Sequence, residues 1–537
     1  MKTSDLLVQC LENEGVRYVF GIFGKEVLDI ADSLSRSTSI QYVPVRHEQG
    51  AAFMADVYGR VAGEPGVCLA TLGPGATNLL TGVASATLDG SPVVAITGQA
   101  GMERQHKQSH QFIDIVKIFE PATKWSVQIK QSETVPEIIH NAFRKAASEK
   151  PGAVLVELPE NLASKAISSK AIPKIAAPTV IPSMEAIAET ELILKQCQKP
   201  FILIGNGVIR QGASEAFQSF AEQLQVPVAN SFMSKGVIPK NHPLNFFTFG
   251  FKDNDLVSEG IAEADLLIVI GLDLIESQPK DWNKNKVPVV HIHSQEAECD
   301  EYYPVCSQLI GDLKQIFKLL KNKNIVPKEW LPANSLKERK LQGNQVYWNE
   351  KTISKQSQTT RNILHIIEKH TDENTIVLSD VGEHKMEIAR YFHPDRPGQL
   401  IISNGLASMG IALPGSIGAK LAAQNKKVIC ITGDGGLLMN VGEIETAKRL
   451  GLSFVIICLN DWMLKIEKKM MEQQFGHSYG VNFSNPDFVQ LAGSFGIKGV
   501  RANSLTELDS ILSHEISSQE GIVLIDVPIS EEKIQAY

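Results

Sequence analysis

The stretch from Lys426 to Asn460 constrains this chain more than any other. Val428 to Thr432 is a short apolar run with polar flanks and no alternation, the pattern of a parallel strand buried on both faces. Gly433-Asp434-Gly435-Gly436 follows, then the helical spacing of Glu443, Ile444, Ala447 and Leu450, then a second apolar run from Ser453 to Leu459 that closes on Asn460-Asp461. Strand, glycine turn, helix and strand in that order describe an α/β unit. Glycines let the backbone approach a ligand closely, and the helix that follows turns its amides toward it, which suits a phosphate. A carboxylate in such a turn repels a phosphate unless a cation lies between them. Asp434 and Asn460, two hard oxygen groups at the ends of neighbouring strands, suit Mg²⁺ holding a diphosphate with few protein ligands. A bare Gly-Asp-Gly is more often an ordinary turn; the strand before it and the Asn ending the next strand give this one the context of a site.

The same alternation of strands and helices runs through most of the chain. Strands are expected at 18–20, 40–45, 67–71, 92–97 and 153–158, then at 201–204, 266–270 and 289–292, and a third unit opens at 375–379 and closes at 522–527. With 537 residues, about three domains are expected: 1–163, 184–322 and 360–537. The lysine-, alanine-, proline- and serine-rich segment 164–183 separates the first two, and a polar, partly helical connector around 322–362 separates the last two. Units one and three echo each other. Gly152-Ala153-Val154-Leu155-Val156-Glu157-Leu158-Pro159 closes one and Gly521-Ile522-Val523-Leu524-Ile525-Asp526-Val527-Pro528 the other, which suggests a shared fold.

Net charge is −8 with no basic stripe, which argues against a nucleic-acid partner, and no apolar run is long enough for a membrane span. The N-terminus runs directly into an amphipathic helix pattern, so a cytoplasmic protein is the expectation. The cysteines are an odd seven with no Cys-x-x-Cys, and Cys68, Cys430 and Cys458 fall inside expected strands, where Cys acts as a small apolar residue.

The spacing from Gly433-Asp434-Gly435 to Asn460 resembles the cofactor-binding motif of thiamine diphosphate enzymes. The stretch Arg46-His47-Glu48-Gln49-Gly50-Ala51-Ala52-Phe53-Met54-Ala55-Asp56-Val57-Tyr58-Gly59-Arg60 is similar to the segment bearing their shared glutamate. Read alone, Glu48 is an acidic residue that the macrodipole favours at a helix N-terminus. The resemblance implies instead that it hydrogen-bonds a pyrimidine nitrogen of the cofactor and promotes its imino tautomer. A low-dielectric surrounding suits that proton sharing, and the apolar helix neighbours supply one.

Further motifs resemble acetolactate synthases and their relatives: Gly73-Pro74-Gly75-Ala76-Thr77-Asn78, Asp89 to Gly98, the pair His110-Gln111, and Ile402 to Gly410. By this resemblance Gly75 and Asn78 approach the cofactor and Gln111 faces the reacting thiazolium. Met409 wedges between the two cofactor rings, where it would otherwise be read as a core gap-filler. The carbonyl of Ala407 accepts from the cofactor amino group. Asp434, Asn460 and the carbonyl of Trp462 ligate Mg²⁺, while Gly433, Gly435, Gly436 and the Gly382-Glu383-His384 turn meet the diphosphate. His47 and His110 are proton-shuttle candidates, although a lone His is as often structural.

The fold implied is three doubly wound parallel-sheet domains: pyrimidine-binding, central Rossmann-like and diphosphate-binding. The reaction implied is decarboxylation of a 2-oxo acid and transfer of the remaining unit to a second one, giving 2-acetolactate from pyruvate. The expected assembly is a homodimer or homotetramer with each site shared between subunits. A 2-oxo acid decarboxylase, an aldehyde carboligase and a pyruvate oxidase are alternatives within the class; a non-catalytic binding protein of the same fold lies outside it. Two departures leave the substrate open. The first loop reads Gly21-Ile22-Phe23-Gly24 followed by Lys25 and Glu26, and the segment Asp461 to Lys469 lacks the glycine and aromatic pattern of relatives. No FAD is expected, because Ile270-Gly271-Leu272-Asp273-Leu274-Ile275-Glu276 replaces the arginine-rich segment of the flavin-dependent synthases, and guanidinium is the donor suited to a pyrophosphate.

Overall fold

The computed structural model describes residues 1–175, 178–251, 256–323, 325, 328, 330, 357–518 and 520–530. The connector expected around 322–362 lies largely outside them. The first sheet is built from β1 (Tyr18–Gly21), β2 (Gln41–Pro44), β3 (Gly66–Ala70), β4 (Val93–Gln99), β5 (Trp125–Gln128) and β6 (Ala153–Pro159). The central sheet comprises β7 (Pro200–Ile204), β8 (Val228–Asn230), β9 (Asn245–Thr248), β10 (Leu266–Ile270), β11 (Val289–His293) and β12 (Val305–Ile310). The third has β13 (Thr375–Ser379), β14 (Leu400–Ile402), β15 (Lys427–Gly433), β16 (Phe454–Asn460), β17 (Lys498–Arg501) and β18 (Ile522–Pro528). All pairings within the three sheets are parallel, as crossover helices require.

Strand order runs β2-β1-β3-β4-β6-β5 in the first sheet and β14-β13-β15-β16-β18-β17 in the third. Counted from the start of each unit the two orders are identical, so the echo between the closing strands belongs to a repeated topology. The central order, β12-β11-β10-β7-β8-β9, is that of dinucleotide-binding doubly wound sheets, with its switch point between β7 and β10. Interior strands such as β3, β4, β6, β7, β10 and β15 bury nearly every residue, which is why they read as unbroken apolar runs. The strands without such runs are mostly edges: every residue of β5 is half-exposed, and both ends of β17 are exposed.

Units one and three share a core. Helix Glu48–Ala62 crosses helix Ala412–Ala422 so closely that a Cβ on Gly418 would lie 2.2 Å from the Met54 carbonyl oxygen. Beside this crossing the buried Arg60 pairs with Asp56 at 2.7 Å and Asp89 at 2.6 Å, and donates to the Ile402 carbonyl at 3.2 Å. An arginine gripped by two carboxylates is a buried ion pair whose partners all have to be present at once. The glycine turn expected after β15 is a direct passage instead: Gly433 ends the strand and Asp434 opens helix Asp434–Met439. Among the described residues no helix is long and apolar enough to cross a membrane.

Candidate active site

The residues singled out in the first unit converge. His47 caps helix Glu48–Ala62, its Nδ1 accepting from Gln49 N at 3.1 Å, so its ring is engaged in holding the helix start. Glu48 is the next residue and is buried. Its Oε2 accepts from Asn78 Nδ2 at 3.0 Å, and its Oε1 lies 3.5 Å from where a Cβ on Gly75 would sit. Gly73 has φ 56°, which only glycine adopts readily, and a Cβ there would come within 2.9 Å of the Gln111 carbonyl oxygen. Gln111 therefore folds back onto the glycine loop beside Glu48. His110 and Gln111 are both exposed in the single chain. Phe23, in the divergent first loop, stacks on Tyr42 with centroids 3.8 Å apart.

The third unit builds the other half. Asp434 is buried, and burial pushes its carboxyl above the ordinary range against the opposing pull of its hydrogen bonds. Its Oδ1 accepts from Gly435 N at 2.8 Å, and its Oδ2 from Trp462 N at 2.8 Å and from Asn485 Nδ2 at 2.6 Å. The same Asn485 nitrogen donates to Asn460 Oδ1 at 2.9 Å, while Asn460 Nδ2 donates to Asp526 Oδ1 at 3.0 Å. Two hard oxygens are thus bridged at one point by an amide nitrogen. The Trp462 carbonyl accepts from Phe483 N at 3.1 Å and keeps a second lone pair. No cluster of three His, Cys, Asp or Glu suited to a metal occurs among the described residues, so a cation here would draw on amide and carbonyl oxygens as well as on Asp434.

A cavity of about 100 Å³ adjoins this point, lined in part by Gly382, His384, Met409, Asp434, Gly435 and Asp461. Glu383, Gly433, Gly436 and Leu464 also face it. The Met409 Cε is 3.3 Å from where a Cβ on Gly435 would lie. Met409 is held by its neighbour Gly410, whose N–H donates to Asp380 Oδ1 at 2.8 Å and whose carbonyl accepts from Asn440 Nδ2 at 2.9 Å. Burial lowers His384 to about 4, leaving a neutral imidazole, and pushes Asp461 up to about 6 with the help of Asp434. His384 Nε2, Asn440 Oδ1 and Asn485 Oδ1 are buried without a partner among the described residues. Orphaned polar atoms around converging hard oxygens fit a polar ligand, and with so many carboxylates nearby a diphosphate would need a cation.

Three of the six described non-glycine residues with positive φ are Gln111 (58°), Ala407 (53°) and Trp462 (58°). Strained backbone collects where a ligand fixes the direction of a carbonyl or amide, and here it falls on residues singled out from the sequence. Sequence reading missed Asp380, Asn440 and Asn485. Asp380 and Asn440 stand at the ends of secondary-structure elements, a position that could have drawn notice, but Asn485 sits in an irregular segment before Pro486 with no local sign of its contacts. Glu48, Gly75, Asn78, His110 and Gln111 are not among the residues that line the cavity that Asp434 and Met409 face.

Comparison with known proteins finds three matched domains. Residues 1–118 match the thiamine pyrophosphate enzyme N-terminal TPP binding domain, 187–320 its central domain and 380–527 its C-terminal TPP binding domain. Acetolactate synthase of Bacillus subtilis (strain 168) is 33% identical over 536 residues, covering 98% of this chain and 93% of the relative. A probable acetolactate synthase large subunit of Methanococcus aeolicus is 33% identical over 98% of this chain and 91% of its own length. Acetolactate synthase isozyme 1 large subunit of Escherichia coli (strain K12) is 31% identical over 99% and 94%. With all three domain models matched and the relatives covering almost its whole length, this chain belongs to the acetolactate synthase family of thiamine diphosphate-dependent enzymes.

Proposed function

We propose that this protein is a Mg²⁺-dependent acetolactate synthase that decarboxylates pyruvate and joins the remaining two-carbon unit to a second 2-oxo acid. The observation that carries the site is that Asn485 Nδ2 bridges Asp434 Oδ2 at 2.6 Å and Asn460 Oδ1 at 2.9 Å, which holds the two hard oxygens side by side. Asp434, Asn460 and the Trp462 carbonyl hold the cation, and Gly382 to His384 with Gly433, Gly435 and Gly436 hold the diphosphate. Thiamine diphosphate, when bound, supplies the electron sink for decarboxylation. Glu48 holds and moves a proton at the pyrimidine nitrogen, with Asn78 orienting its carboxylate. The Ala407 carbonyl would hold the cofactor amino group, Met409 would support its rings, and His110 and Gln111 would face the substrate. Because the Glu48 cluster does not line the Asp434 cavity, each site is completed by a second copy of the chain, in a homodimer or homotetramer. The working units are 1–163, 184–322 and 360–537.

Flavin has no part in this reading. At the switch point of the central sheet, the Asn206 amide that would face a pyrophosphate donates to Glu276 Oε1 at 2.9 Å. Asp273 beside it is bound to Arg210 at 2.7 Å, and a Cβ on Gly205 would lie 2.3 Å from Leu272 Cα, so groups of the chain itself already engage the amide and the guanidinium that border the cavity of about 430 Å³ there. Purified protein supplied with thiamine diphosphate, Mg²⁺ and pyruvate should be colourless and should form acetolactate. Acetaldehyde as sole product would refute carboligation, and a yellow preparation that loses activity when stripped of flavin would refute the flavin-free reading.

A further inference from the structure

The two cofactor-binding units grip each other through a pair of buried carboxylates, one from each unit. In the third unit Glu443 stands on the crossover between β15 and β16; its Oε1 accepts from both Arg46 N and His47 N at 3.0 Å. Those amides lie just after β2 of the first unit and immediately before Glu48. In the first unit Asp89 stands on the crossover between β3 and β4; its Oδ1 accepts from Asn404 N at 3.1 Å and Gly405 N at 2.6 Å. Those amides lie just after β14 of the third unit and lead into Ala407 and Met409.

Crossover for crossover the two contacts correspond, although Glu443 opens helix Glu443–Arg449 and Asp89 follows the end of helix Pro74–Leu88. A carboxylate on the crossover between the third and fourth strands of one unit takes the two amides that follow the second strand of the other. Both carboxylates are buried, with Glu443 at 1% and Asp89 at 2% exposure, and each has its second oxygen occupied, by Thr446 Oγ1 at 2.7 Å and by Arg60. Glycine makes room in each case. A Cβ on Gly50 would lie 2.7 Å from Glu443 Oε1, and one on Gly405 would lie 2.7 Å from the backbone of Leu88. Charge-assisted bonds to backbone amides are the strong kind, and in a buried setting their loss leaves donors unpaired.

We propose that Glu443 and Asp89 form a reciprocal brace in which each unit sets the backbone of the other unit's cofactor loop, making both positioning residues. The functional part rests on the thiamine diphosphate reading above. The brace predicts a crossed phenotype: damage to Glu443, which lies in the diphosphate-binding unit, falls on Glu48 in the other unit and spares the cation site. In the full chain, Glu443→Leu should speed hydrogen exchange at the Arg46 and His47 amides by about tenfold or more. It should slow proton exchange at the cofactor thiazolium carbon while leaving the Mn²⁺ dissociation constant within about twofold of the parent. Glu443→Gln keeps an acceptor oxygen and should restore amide protection. Gly50→Ala, which displaces the carboxylate without removing it, should reproduce the Leu phenotype if Glu443→Leu fails to fold. Unchanged amide exchange in Gly50→Ala and in a folded Glu443→Leu overturns the brace. So does a loss of Mn²⁺ affinity in step with cofactor proton exchange, which marks general collapse of the third unit. If the parent chain binds no thiamine diphosphate the functional reading falls, while the amide measurement, made without cofactor, still decides the brace.

Discussion

Replacing Asn485 by Ala should weaken cation binding at the Asp434 and Asn460 site. The Asn485 amide makes one bond to a carboxylate oxygen at 2.6 Å and one to an amide oxygen at 2.9 Å. The first is charge-assisted and restrains the site by about 1.5–3 kcal/mol, the second by about 0.5–1.5 kcal/mol. Only the part of that restraint realised when the cation arrives appears in the affinity. Loss of an outer-shell partner commonly costs about 10–100-fold in metal affinity, which is about 1.4–2.7 kcal/mol. Asn485 lies too far along the chain from Asp434 to shape it locally, so this loss reports the contact itself. The assay is Mn²⁺ titration followed by electron paramagnetic resonance, in the presence of saturating thiamine diphosphate, on parent and variant. Asn485→Gln, which keeps the amide on a longer stem, should lie between them. An Asn485→Ala dissociation constant within about twofold of the parent would show that Asp434 and Asn460 hold their places unaided and would refute the reasoning.

Glu48→Gln should fold and keep the cation site, yet slow proton exchange at the thiazolium carbon by about 10²–10⁴-fold, because an amide cannot hand on a proton; NMR exchange at an unchanged rate would remove Glu48 from that role. Lys235 is buried and, among the described residues, has no carboxylate in hydrogen-bonding contact: its Nζ donates to the Ala389 carbonyl at 2.7 Å, on the helix that carries Glu383, and to Thr248 Oγ1 at 2.9 Å. Burial lowers it from 10.5 to about 7. Between those values the unfolded chain binds the proton and the folded chain does not, so this lysine makes stability rise with pH above about 7 and has no such effect below it. The pH dependence of thermal unfolding should therefore be flatter in Lys235→Met than in the parent, and superimposable curves would contradict the assignment.

The local sequence determined most of what is repetitive in this protein. Interior strands such as β3, β7, β10 and β15 are buried on both faces, so their apolar runs declare them without reference to any partner. The sequence alone also placed Asp434 at the end of one strand and Asn460 at the end of the next, because a parallel pair one crossover apart brings its carboxyl ends together. It marked Glu48 at a helix start and the echo between units one and three. Edge strands β5, β9, β12, β14 and β17 were not legible in this way: with one side of the ladder open, position in the sheet rather than composition makes them strands.

What only the tertiary structure decided is which distant groups meet. Asn485 reaches Asp434 and Asn460 from an irregular segment beyond the next helix, Asp380 pins Gly410 thirty residues on, and Glu443 and Asp89 cross between units some 300 to 400 positions apart in the chain. The conformations of Gln111, Ala407 and Trp462 belong here too, since none of the three prefers positive φ. Burial and periodicity are written in neighbouring residues, each strand or helix carrying its own record of which face is apolar. A hydrogen bond between a side chain and an amide on another unit leaves no such record, because any Asn, Asp or Glu has the same local signature whether its partner is water or a backbone far along the chain.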